Sequence, residues 1–135
     1  MDFYTLPVKN PTPQEIYQAA LKERASPDPL KKRQACEKGW LAVTEAVDQF
    51  LTTKGKYVRK GMAEAHSDRI AFLATLANTD PEMEKLAVKV SQIADQQHGG
   101  CFYAGRDNPY YDQVLKKTVR EILELTGHWD NGQDE

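Results

Sequence analysis

The sequence predicts an all-α fold, an up-and-down bundle of four to five antiparallel helices. Three observations carry this. The stretch from Asp28 to Gly55 is long, amphipathic and bounded by clear start and stop residues. Three further segments repeat apolar residues at spacings of three and four, the period of a helix face. No segment alternates apolar and polar residues for long enough to make a strand.

Thr12-Pro13-Gln14-Glu15 has the form of a capping box and opens the first helix, to about Arg24, with Ile16, Ala20 and Leu21 inward. In the second, Asp28 caps free backbone N–H groups, and Pro29 fits the first position because its missing donor is not needed there. Cys36, Trp40, Val43, Val47 and Phe50 then line one face, and Gly55 supplies the left-handed residue that ends it. A third helix is expected from about Ala63 to Ala77, with Ile70, Leu73, Leu76 and Ala77 as its apolar side. Thr79-Asp80-Pro81-Glu82 opens a fourth, carrying Met83, Leu86, Val90 and Ile93, with Gly99-Gly100 as its end. Asn108-Pro109 starts a fifth, which carries Tyr111, Leu115, Val119, Ile122 and Leu125 to a stop at Gly127. The linking segments are short, which places consecutive helices antiparallel.

The 135 residues fit one domain, with a core over about 13–127 and a frayed polar tail over 128–135. The longest apolar stretch, Ile70 to Ala77, is far too short to span a bilayer, and Met1 to Asn10 has no signal-peptide core. With Cys36 on a packing face and Cys101 in a loop, two reduced thiols and a cytoplasmic location are expected.

A net charge of −2 excludes a protein that coats nucleic acid through a dominant basic surface. The positive charge is nevertheless gathered into runs. Lys54, Lys56, Arg59 and Lys60 join the second and third helices with no acid among them, and Lys31, Lys32 and Arg33 open the long helix. Each run is either a solvated face or a phosphate-attracting patch wide enough for a nucleotide or one RNA strand. The three histidines are scattered without a second ligand at helical spacing other than carboxylates, so neither metal nor cofactor is expected. No Glu-x-x-His pair and no phosphate-cradling GxxxxGK loop is present, which removes the di-iron bundle and the P-loop readings.

Gln34-Ala35-Cys36-Glu37-Lys38-Gly39-Trp40 and the small and aliphatic residues after it resemble the signature helix of the PaREP-type family, a branch of the HEPN superfamily of helical, nucleotide- or RNA-associated domains. His66 at the start of the third helix, and His98 with Phe102 and Tyr103 after the fourth, are similar to further elements of that family. The resemblance spans roughly residues 14 to 126 and implies a HEPN-like bundle that forms a homodimer. It implies either a nucleotide-binding or partner-binding subunit, such as one paired with a small nucleotidyltransferase, or a metal-independent endoribonuclease of toxin type.

In the nuclease members an Arg precedes a His on one helix, and Arg59 and His66, with six residues between them, meet that count. Lys60 stands where those members carry a polar residue, and Gly61 interrupts the helix, so binding is favoured over cleavage. Metal-free RNA cleavage needs a proton acceptor, a proton donor and a cation on the developing phosphorane charge. His66 would be the acid or base and Arg59 the phosphate clamp. Lys56, Lys60, His98, Phe102 and Tyr103 are the candidate binding residues, the aromatics for stacking on a base. Structural alternatives stand beside these: His66 bonded to Glu64 or Asp68, His98 complementing a helix C-terminus, and the aromatics capping one end of the bundle.

Overall fold

The computed structural model describes residues 10–105 and 108–133, without the side chains of Tyr103 and Gln133. Helix α1 (Pro13–Arg24) opens on the expected box: the Thr12 hydroxyl accepts the Glu15 N–H at 3.1 Å, and Glu15 accepts the Thr12 N–H at 2.9 Å. Helix α2 (Pro29–Thr53) starts on Asp28, whose carboxylate accepts the Leu30 N–H at 2.9 Å. It ends at a turn in which Gly55 has φ +76°, a left-handed conformation that a Cβ would oppose. Helix α3 covers Met62–Leu76 and α4 covers Pro81–Ile93, the latter capped by Asp80. The last rod comprises α5 (Pro109–Gln113), a π-helical stretch (Val114–Val119) and α6 (Arg120–Leu125). Among the described residues there is no strand, and the chain is an all-α helical bundle of five helical rods.

α2 is the spine. Ala35, Ala42, Val43, Ala46, Val47 and Leu51 are buried along it, with α1, α3, α4 and the last rod packed around. Leu73 of α3, Leu86, Val90 and Ile93 of α4, and Leu115, Val119 and Ile122 of the last rod complete one continuous core. Burial of such side chains stabilises by roughly 1.5–3 kcal/mol each, which is why these periodic positions dictate the fold. Trp40 and Phe50, at the margins of the long apolar face, are only partly buried.

Three sequence expectations are overturned. Gly99-Gly100 does not end the fourth helix; the chain continues as a π-helical segment, Ala94–Tyr103. The reason lies in packing: a Cβ on Gly100 would fall 2.5 Å from the Tyr111 hydroxyl oxygen, so the glycine admits a neighbouring ring rather than a turn. Cys101 therefore lies on that helical segment and not in a loop, and it is joined to Cys36 by a disulfide that spans 65 residues of sequence. The two thiols expected to be reduced are a buried cross-link between α2 and the π segment.

The third correction concerns the tail. After the Gly127 turn, residues 128–133 fold back over α1 instead of fraying. Gln14 and Asp130 exchange two hydrogen bonds, Nε2 to the carbonyl at 2.9 Å and the Asp130 N–H to Oε1 at 2.7 Å. The Trp129 ring meets Tyr17 edge-on at 5.9 Å, and the Arg120 guanidinium lies 4.4 Å from its centre. An aromatic anchor outweighs the polar residues around it. Trp129→Ala should therefore lower unfolding free energy by about 2 kcal/mol, less than a fully buried tryptophan would lose. Urea denaturation checks this, and a frayed tail would give no change.

Candidate functional site

A cleft of about 640 Å³ opens where α2, α3 and the π segment meet. Trp40, Leu41, Met62, Ala63, Ala65 and Ala94 give it mainly apolar walls, while Glu37, Lys60, His66, Arg69 and His98 bring charge and protons. Helical spacing explains who meets whom. Glu37 and Trp40 are one turn apart on α2, and His66 and Arg69 are one turn apart on α3, so each pair shares a face.

Trp40 organises the cleft. Its ring lies 5.9 Å from His66, edge-on, and 5.6 Å from His98, tilted by 31°. Phe102 stacks on His98, 6.4 Å away and 19° from parallel. The Arg69 guanidinium sits 5.9 Å from the Trp40 centroid and forms a double hydrogen bond to Asp48, at 2.6 and 2.8 Å. Arg69 is 8% exposed, so its end of the pair is withdrawn from water while the Asp48 carboxylate remains partly exposed. His98 Nδ1 lies 2.7 Å from Glu37 Oε1, and the carboxylate, which only accepts, fixes the proton on that nitrogen. Behind it, buried Gln97 donates to the Tyr111 carbonyl at 2.9 Å, tying the π segment to the last rod.

Burial, then the nearby Arg69 cation and His98, push His66 below the usual histidine range, so it is held neutral. Its Nδ1 is buried without a hydrogen-bond partner among the described residues. Outside the cleft, burial also lowers His128, partly offset by its hydrogen bonding near Thr126. Both shifts have the same consequence for stability. The unfolded chain binds a proton at each site near pH 6.5, while the folded chain resists until lower pH, so stability present above that value is lost as pH falls. The urea midpoint should drop between about pH 8 and about pH 5.5, and a His66→Gln, His128→Gln double variant should flatten that drop.

The residues expected from sequence divide into three groups. His66, His98 and Lys60 line the cleft, and Phe102 backs it through His98. Arg59 and Lys56 are not among the cleft walls. Arg59 clamps the α2–α3 connection to α3, with its backbone N–H, Nε and Nη2 all donating to the Asp68 carboxylate at 2.8–3.2 Å. That hydrogen bonding holds the Asp68 carboxyl below the usual range. Lys56 places its ammonium 5.7 Å from the Phe72 ring. The side chain of Tyr103 lies outside the described residues. Among the charged and aromatic residues of the cleft, Glu37, Trp40 and Arg69 are those the sequence did not assign to a site. Their signal was spacing: Arg69 follows His66 by one helical turn, whereas Arg59 precedes the helix.

Among the described residues no three His, Cys, Asp or Glu side chains are grouped so as to hold a metal ion. Also among them, no helix is long and apolar enough to cross a membrane. No family model, curated protein or solved structure matches this chain.

Proposed function

We propose that this chain is a HEPN-like, PaREP-type bundle whose cleft binds a nucleotide or a short stretch of single-stranded RNA, without cleaving it. The observation that carries this reading is the ring cluster of Trp40, His66 and His98 beside the cations Arg69 and Lys60 in one open cleft. Rings give a base a stacking surface and cations give a phosphate its counter-charge, the two ingredients of sequence-tolerant nucleic-acid binding. The exposed apolar side chains at the cleft, Leu41 and Met62, support the further proposal of a homodimer or of docking a small nucleotidyltransferase in the cytoplasm.

Titration with adenosine monophosphate and with RNA of about ten nucleotides tests the reading, following Trp40 fluorescence in a Trp129→Phe background. Saturable quenching is expected, and calorimetric titration of Trp40→Ala, which has lost the fluorophore, should show affinity weakened about tenfold, the scale of one lost stacking contact. Absence of saturable binding by either probe sinks it. The neutral His66 keeps the endoribonuclease reading as a second one, with the imidazole as proton acceptor. It requires RNA cleavage that His66→Ala abolishes while leaving the helical content unchanged.

A further inference from the structure

Cys36 and Cys101 are both fully buried, and their bond ties α2 to the one cleft wall that is not an ordinary α-helix. That wall, Ala94–Tyr103, carries His98 three residues before Cys101. Its intrinsic stability is low. Extended π-helical geometry is rare in proteins, and each of its two glycines costs about 1 kcal/mol relative to alanine in a helix. Tertiary ties hold it instead: the disulfide, the Glu37–His98 bond, the Gln97–Tyr111 bond, and Arg33, which donates to the Phe102 carbonyl at 2.7 and 3.1 Å.

A second observation points to chemistry at the sulfurs themselves. The Arg24 guanidinium, 4% exposed, places Nη1 3.8 Å from Cys36 Sγ and 3.7 Å from Cys101 Sγ, and it is ion-paired with Asp112. A cation this close favours a sulfur that carries negative charge, so it stabilises the thiolate that leaves when a disulfide is attacked.

We propose that the Cys36–Cys101 bond is a redox latch on the cleft. Closed, it clamps the π segment to α2 and holds His98 against Glu37 and Trp40; opened by a dithiol reductant, it frees that wall. Two electrons and two protons pass from the reductant. Its two thiols become a disulfide as the Cys36–Cys101 bond breaks and leaves two thiols. Because both sulfurs are buried, the attacking thiolate enters through local opening of the glycine-bearing segment, which links the rate of reduction to the motion being controlled. This regulatory role rests on the cleft being the binding site, and in a cytoplasmic chain a disulfide of this kind is a transient, sensing one.

The full-length protein, oxidised and after treatment with dithiothreitol, is compared by histidine NMR and amide hydrogen exchange, neither of which needs a ligand. On reduction the His98 ring resonances should move and protection over 94–103 should fall about tenfold or more beyond the common fall that loss of the cross-link imposes on α1, α2 and the last rod. A Cys36→Ser, Cys101→Ser variant should reproduce the reduced spectrum; if it does not fold, the dithiothreitol comparison decides alone. Unchanged His98 resonances and unchanged protection in protein shown to carry two free thiols would overturn the latch. So would failure of dithiothreitol to open the bond without denaturant. Adenosine monophosphate titrated into both forms separates the two readings. Affinity lost on reduction supports both, equal affinity in the two forms overturns control of binding, and no affinity in either removes the binding reading while leaving the NMR result to judge the latch.

Discussion

Opening the Cys36–Cys101 bond is expected to cost the fold about 4 kcal/mol, the loop-closure entropy released to the unfolded chain by a cross-link across 65 residues. The effect acts mainly on the denatured state. The unfolded chain expands once the loop is open, so the urea m-value should rise along with the fall in midpoint. Domains of this size have about 5–15 kcal/mol in hand, so the reduced protein remains folded at 25 °C and its helices persist. Urea titration of oxidised and phosphine-reduced protein, read by circular dichroism, measures the difference. A loss below about 1 kcal/mol with an unchanged m-value would mean that the denatured chain already holds the two sulfurs together, and that the bond contributes nothing as a cross-link.

That cross-link is also the clearest place where sequence reasoning stopped short. The helix starts were legible because capping is local chemistry: Thr12, Asp28, Asp80 and Asn108 each accept a backbone N–H two or three residues on. The core was legible because burial follows period, and Met83, Leu86, Val90 and Ile93 are all buried as the spacing requires. Gly99-Gly100 was misleading for a physical reason. Two glycines in sequence mark either a helix end or a close approach by another element, and only the position of the Tyr111 ring distinguishes them. Once the helix runs on, Cys101 reaches Cys36. Nothing local encodes that meeting.

The cleft was legible in part. His66, His98 and Lys60, three of the residues singled out in the sequence, line one cleft. Arg59, offered by the sequence as a phosphate clamp, lies before Gly61, the break the sequence already marked and the residue that caps α3. Arg59 is spent on Asp68 outside the cleft, and the guanidinium beside the rings belongs to Arg69. Arg69 follows His66 by three residues within both the expected and the observed span of α3, so the spacing that puts them on one face was present in the sequence.

Arg69 then makes the second large prediction. Its guanidinium side chain is 10% exposed and its partner Asp48 is 36% exposed, so the two ends of the ion pair are unequally wet. Asp48→Ala strands a buried cation over Trp40 and should cost about 2–3 kcal/mol, somewhat below the 3–5 kcal/mol of a fully dry pair because one end already touches water. Arg69→Met strands only a carboxylate that water can reach, and methionine retains much of the packing on Trp40, so about 1 kcal/mol is expected. Binding should rank the other way. Arg69→Met removes the cation beside the rings and should weaken adenosine monophosphate about tenfold or more, while Asp48→Ala leaves that cation without its neutralising carboxylate and should not weaken affinity. Opposite orders in stability and in affinity separate a guanidinium that serves a ligand from one that only braces α2 against α3. Equal stability losses from the two substitutions would mean that both ends of the pair are equally solvated, and Arg69 would no longer count as a buried cation on the cleft wall.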